Sequence, residues 1–188
     1  MKVLLSDISE IQFGFYAKPD TEGDVKYLQA KHFDDLGQLS NEIDTFLMRN
    51  EKKLSHLLID GDILFVGKGF RNFAWTYTSE IGDAIASSIF FVIRPNKEMV
   101  NPEFLTTLFN TSKYQTYFQQ LGAGSSITSI RKSELEAIKI DLPELALQNK
   151  IVELKKLHQR DIQLSKELIE QKEKKFQTIF NDLQNNMI

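Results

Sequence analysis

From Glu144 to Ile188 the chain contains neither glycine nor proline and is rich in Leu, Ile, Lys, Glu and Gln. A stretch without the two strongest helix breakers reads as one continuous helix. Its apolar and intervening positions Leu147, Ile151, Leu154, His158, Ile162, Ser165, Leu168, Lys172, Phe176, Ile179 and Leu183 recur mostly every three or four residues, which draws a seam along one side. At 1.5 Å per residue, about 38 such residues span roughly 55 Å. A helix projecting that far cannot bury its stripe on itself, so it is expected to pair with another helix, from a second copy or from a partner. The alternative is a long helix lying along its own domain. The helix-pairing residues are expected to be Ile151, Leu154, Ile162, Leu168, Phe176, Ile179 and Leu183.

Pro143 closes a segment of different character, so the expected division is a globule over 1–143 and a helix over 144–188. Short runs rich in Val, Ile, Phe and Tyr at Lys26–Ala30, Thr45–Met48, Asp62–Val66, Phe73–Tyr77 and Ala84–Ile93 read as strands. Between Asn101 and Leu121, Phe104, Leu105, Leu108, Phe109, Tyr117, Phe118 and Leu121 fall at helical spacing, which predicts one or two helices. Asn101 suits the N-cap, Pro102 the first turn and Gly122 the stop. Strands followed by helices without βαβ alternation predict an α+β globule carrying a helical stalk.

The 188 residues include no cysteine, which excludes disulfides, thiolate metal sites and a cysteine nucleophile and suits a reducing, cytoplasmic setting. The amino terminus meets a charge at Asp7 without a long apolar run, and no stretch reaches the roughly 18 apolar residues of a membrane span. No membrane partner is expected. Net charge is −3, and residues 1–143 carry 15 Lys and Arg against 19 Asp and Glu, so contact with a polyanion has to rest on local basic clusters.

Two such clusters exist. In Gly67-Lys68-Gly69-Phe70-Arg71-Asn72-Phe73-Ala74-Trp75, the glycines let a backbone approach a ligand. Lys68 and Arg71 can meet phosphates or a guanine edge, Asn72 can pair with adenine, and Phe70 or Phe73 can stack. The competing reading is a solvated hairpin loop whose aromatics fold back into the core. In Gly122-Ala123-Gly124-Ser125-Ser126-Ile127-Thr128-Ser129-Ile130-Arg131-Lys132-Ser133, the hydroxyls of Ser125, Ser126 and Thr128, free amides and the cations Arg131 and Lys132 suit phosphate. Ser133 also suits the N-cap of a short turn with Glu136 completing a capping box. Lys31, beside His32, is a further basic candidate.

Catalytic patterns fail on spacing. Pro19-Asp20 with Asp24-Val25-Lys26 imitates a nuclease carboxylate set, but the parts are too close and lie among turn formers. Asn101-Pro102-Glu103-Phe104 imitates an adenine-methyltransferase signature with Glu103 where a second proline belongs, and no glycine-rich cofactor loop accompanies it. Asp60-Gly61-Asp62 reads as a turn, and His32, His56 and His158 lack metal-ligand spacing. No catalytic group, metal or cofactor is expected.

Three pieces in order carry a family resemblance: Leu5-Ser6-Asp7-Ile8-Ser9-Glu10-Ile11-Gln12-Phe13-Gly14; Gly61-Asp62-Ile63-Leu64-Phe65 ahead of the basic glycine loop; and Ile138-Lys139-Ile140-Asp141-Leu142-Pro143-Glu144-Leu145-Ala146-Leu147-Gln148-Asn149-Lys150-Ile151-Val152. The last resembles a strand, a Leu-Pro corner and the entry to a long conserved helix. Over nearly its whole length the chain resembles half of a type I restriction-modification specificity subunit. That resemblance implies a non-catalytic target-recognition domain that reads double-stranded DNA, and a helix that spaces recognition domains and docks methyltransferase subunits and, where present, a restriction subunit. Full-length members carry two recognition domains and two long helices. One of each here implies either a homodimer through antiparallel stalks, reading a palindromic or repeated half-site, or a fragment of a longer subunit. Met1 at the domain's natural beginning favours the complete half-subunit. The rival classes are a helical adaptor or scaffold oligomerising through the stalk, supported by the acidic globule, and a small hydrolase with an unrecognised site.

Overall fold

The computed structural model describes residues 1–34, 37–40, 42–69, 71–121 and 129–185. The chain divides into two compact units, Met1–Gln148 and the residues from Asn149 onward. In chain order the elements are β1 (Lys2–Leu4), α1 (Leu5–Ile8), β2 (Ser9–Phe13), β3 (Val25–Leu28), β4 (Phe46–Leu47), α2 (Glu51–Leu54), β5 (Ile63–Val66), β6 (Ala74–Thr76), β7 (Ala84–Ala86), β8 (Phe90–Pro95), α3 (Pro102–Phe109), α4 (Ser112–Leu121), α5 (Lys132–Glu136), β9 (Lys139–Asp141) and α6 (Leu145–Asn185). The α+β class is as expected, with mixed sheets, helices and a long C-terminal helix.

The centre of the globule is a four-stranded antiparallel sheet in the order β2-β8-β5-β6. All four residues of β5 are buried, as an unbroken apolar run requires when both faces of a strand are covered. The register pairs Leu64 with Val92 and Phe65 with Phe91, and side-chain alternation sends the two pairs to opposite faces. On one face Leu64, Val66, Phe90 and Val92 join Leu28, Phe33, Phe73 and Ala84, so the three-stranded sheet β4-β3-β7 shares this core. On the other face the Phe65 ring lies 5.8 Å from Phe109 of α3 and 4.8 Å from Phe118 of α4. Each such buried side chain contributes about 1.5–3 kcal/mol by leaving water.

Helix α3 begins as its sequence predicts: Pro102 occupies the first turn and Asn101 Oδ1 accepts from the amides of Glu103 (2.9 Å) and Phe104 (3.3 Å). At its other end, Asn110 accepts from Ala74 N (2.9 Å) and donates to Ala74 O (2.8 Å). One amide side chain thereby does for the outer edge of β6 what a further strand would do. The β1–β9 ribbon joins the chain's start to its Leu-Pro corner: Leu142 N donates to Met1 O at 2.8 Å and Leu5 N to Ile138 O at 2.9 Å. Gln148 then anchors the first turn of α6. It is fully buried, accepts from Asn101 N (2.9 Å) and donates to Met99 O (3.1 Å) and Pro143 O (2.8 Å).

Three local expectations change. The single run Ala84–Ile93 is two strands, because a turn with Phe90 N donating to Ser87 O (3.0 Å) interrupts it. The short helix near Ser133 starts two residues earlier: Arg131 is its N-cap residue, and Glu134 rather than Glu136 returns to the cap, accepting from Arg131 N at 2.7 Å. Asp60-Gly61-Asp62 does form a turn, with Gly61 at φ +88°, yet the buried Asp62 carboxylate also pairs with the partly exposed Arg94, which spacing alone did not reveal. Among the described residues no helix is long and apolar enough to cross a membrane.

Candidate nucleic-acid interface

The two basic loops, some sixty residues apart in the chain, meet. Lys68 and Ser129 form an antiparallel bridge, and Ile130 N donates to Gly67 O at 2.8 Å. This short antiparallel pairing extends the end of β5 and joins the two loops at Gly67-Lys68 and Ser129-Ile130. Ile130 is buried and acts as the anchor, whereas Lys68, Arg71 and Arg131 are exposed. Among the described residues no ion pair holds Lys68 or Arg131. Lys132 faces Glu136 at 3.4 Å in an exposed i,i+4 pair, an interaction weak enough to give way to a phosphate.

The glycines in the first loop have different duties. A Cβ on Gly67 would meet the Phe91 ring at 2.4 Å, so the missing side chain there serves core packing rather than ligand approach. Gly69 has φ +101° and open space where a Cβ would stand, so the turn needs its left-handed backbone and leaves its surface clear.

Asn72 does not present its amide to a ligand. It is buried, and its Nδ2 donates to Val66 O at 2.7 Å while Val66 N donates to Phe73 O at 3.0 Å. A polar side chain here closes its own loop, which removes it from the base-reading set. Phe73 likewise folds back, with its ring 5.3 Å from Phe33 and 6.2 Å from Phe90. Phe70, Ser125, Ser126 and Thr128 lie outside the described residues, as does Gly122.

Lys31 is engaged by a carboxylate instead: its Nζ lies 2.6 Å from Asp44 Oδ1, with His32 Nε2 at 3.0 Å from the same oxygen. Lys31 first and His32 second hold the Asp44 carboxyl at about 2, below its ordinary 3.8. A carboxyl lowered on folding adds stability at pH values above 3.8, and that contribution fades as pH falls towards about 2. The His32 ring is almost wholly buried and its Nδ1 accepts from Gln29 N at 3.0 Å, so it is a satisfied structural histidine. Among the described residues no group of three or more His, Asp or Glu side chains is placed to hold a metal ion.

Within α6 the expected seam residues Leu154, Ile162, Leu168, Phe176, Ile179 and Leu183 are 41–68% exposed. Ile151 is partly buried. Leu157, Leu164, Ile169 and Phe180, absent from the expected seam, are also 47–62% exposed, and the Phe176 and Phe180 rings stack at 6.2 Å. Together they widen the stripe into a band. Their signal was in the sequence, since each stands next to or one turn from a seam position, but a strict three-four spacing passes over them.

The family model of the type I restriction modification DNA specificity domain matches residues 2–174. The chain belongs to that family. In fold it is similar to the HsdS subunit from Thermoanaerobacter tengcongensis, at 17% identity and a TM-score of 0.57 over 86% of this chain and 38% of that one. It is similar too to the S subunit of a type I restriction-modification system from M. genitalium, at 13% identity and a TM-score of 0.60 over 85% of this chain and 39% of that one. A third similar structure comes from work on complex assembly and conformational transition of the type I R-M system, at 19% identity and a TM-score of 0.58 over 86% of this chain and 38% of that one. The chain thus spans under two fifths of the length of each of these proteins. No curated protein matches it.

Proposed function

We propose that the chain reads part of a duplex DNA target as a non-catalytic specificity module of a type I restriction-modification system. The observation that supports this reading is the bridge between Lys68 and Ser129, which joins the two basic loops in a chain of the DNA-specificity family. Lys68, Arg131 and Lys132 bind phosphates and fix register. Arg71 reads a base edge, where a guanidinium can donate twice to guanine. Residues 1–143 serve recognition and 144–188 form the spacing helix, while methylation and cleavage belong to partner subunits in the cytoplasm. The competing scaffold reading draws on the acidic globule. Asp24 and Asp83 are engaged by Arg49, Asp44 by Lys31, Asp60 by Lys97 and Asp62 by Arg94, so these carboxylates are spent in internal pairs.

Salt dependence separates the two readings. Duplex binding through three or four phosphate contacts should lose affinity with a log–log slope of about −3 to −4 as salt rises. A slope near zero, or no duplex binding, would leave the scaffold as the better account.

The apolar band of α6 is assigned to pairing with a second copy, antiparallel, which restores a two-domain layout. Replacing Leu154 and Leu168 together by Glu should then halve the mass measured by light scattering, because two charges would enter a buried seam. A mass identical in wild type and variant contradicts a homodimer through this helix.

A further inference from the structure

A groove of about 580 Å³ runs between α4 and β9. One wall is a stripe of α4, Lys113, Thr116, Tyr117 and Gln120, at the i, i+3, i+4, i+7 spacing of one helix face. The other wall is the edge of β9. Strand β9 pairs only with β1 among the described residues, and the bonds to that side come from alternate residues: Ile138 O accepts from Leu5 N, Ile140 stands opposite Val3, and Leu142 N donates to Met1 O. In an antiparallel ladder the intervening residues direct their N–H and C=O groups the other way. Lys139 and Asp141 therefore turn their backbone groups towards the groove. The only described partner for these is the Tyr114 hydroxyl, which donates to Lys139 O at a long 3.4 Å.

An open strand edge is a template for another strand unless it is covered. Here the surrounding chemistry adds a preference. Lys113 and Lys139 are exposed and in no ion pair among the described residues, against the single carboxylate of Asp141. Tyr117, 39% exposed, offers an aromatic face beside buried Tyr114.

We propose that this groove binds an extended acidic peptide of a partner protein by strand addition to β9. The peptide's main chain pairs with the backbone of Lys139 and Asp141, its apolar side chains lie on Tyr114 and Tyr117, and its alternating carboxylates meet Lys113 and Lys139. Three residues of strand edge, about 10 Å long at 3.4 Å per residue, set a short recognition segment. The groove's lining residues include none of those assigned to DNA contact.

The test uses the full chain and fluorescent, end-blocked eight-residue peptides alternating Glu and Val. A Lys–Val counterpart and a Glu–Val peptide methylated on alternate backbone nitrogens complete the set. Wild type should bind the Glu–Val peptide saturably and each of the other two at least tenfold more weakly. The pair of substitutions Lys113→Glu and Lys139→Glu should reverse the charge preference, and Tyr117→Ala should weaken binding about fivefold. Should the double reversal misfold, Lys113→Gln and Lys139→Gln singly should each lose about threefold. Absence of saturable peptide binding overturns the proposal, as does equal binding of the methylated peptide. So does a result in which the lysine variants weaken duplex DNA binding and leave the peptides unaffected.

Discussion

Replacing Lys68, Arg131 and Lys132 together by alanine is expected to cut duplex affinity by about 100- to 1000-fold at physiological salt. Each charge-assisted contact contributes about 1.5 kcal/mol, and three of them approach 4.5 kcal/mol, at roughly 1.4 kcal/mol per factor of ten. The upper figure is reduced because Lys132 gives up its contact with Glu136 on binding. The salt slope should fall by about 2.7, since every phosphate contact removed takes about 0.9 from it. All three side chains lie at the surface, so the melting temperature should change little. Lys31→Ala is the control: its lysine is held by Asp44, and the slope should remain that of wild type. Fluorescence anisotropy across a salt series reads both quantities. Arg71→Ala should behave differently, losing about 1–3 kcal/mol of discrimination at one base position with a smaller loss in mean affinity.

The largest stability effect should come from Asp62→Ala, at about 2–3 kcal/mol, since the carboxylate is buried but the Arg94 side chain it holds is one third exposed. Asp62 is completely buried at the start of β5. Its Oδ1 accepts from Arg94 Nε at 2.8 Å, and its Oδ2 accepts from Arg94 Nη2 at 2.7 Å and from Ile59 N at 2.9 Å. The pair ties β5 to β8 beside the Ile63–Ile93 register, so it fixes the alignment of the central sheet. Alanine would leave the Ile59 amide without its acceptor and release the partly exposed Arg94 guanidinium to water. A domain of this size has a total stability of about 5–15 kcal/mol, so this one change should lower the urea midpoint severely. Replacing both partners by Leu should recover part of the loss, because the desolvation of two charges disappears along with their attraction. An unchanged midpoint in Asp62→Ala would mean the pair does not hold the sheet.

Much of the fold was legible because it rests on local pattern. The buried run of β5, the Asn101-Pro102 start of α3 and the glycine-free tail each carry their signal within a few residues. What escaped depends on partners far along the chain. Strand β1 is three residues, too short for alternation to register, and it exists because the chain's beginning meets β9, the strand before the Leu-Pro corner that the family resemblance alone had indicated. Asp62 finds Arg94 across 32 positions, and nothing in an Asp-Gly-Asp turn announces that partner. In the candidate interface, loop chemistry singled out two segments far apart in the chain, and the Lys68–Ser129 bridge joins them. It misassigned Asn72, whose amide serves the loop's own carbonyl, and Gly67, whose missing side chain makes room for Phe91. A polar or small residue in a loop has the same composition whether it faces a ligand or its own backbone. Only the three-dimensional neighbours separate the two.

The central claim is sequence reading by the paired loops, and selection from a randomised duplex pool tests it most directly. The full chain, with and without a modification subunit, should enrich a defined motif, bipartite with two like halves if the stalks pair, and Arg71→Ala should blur one position in each half. A pool that emerges unenriched in both conditions, with binding indifferent to salt, would contradict DNA reading by this chain.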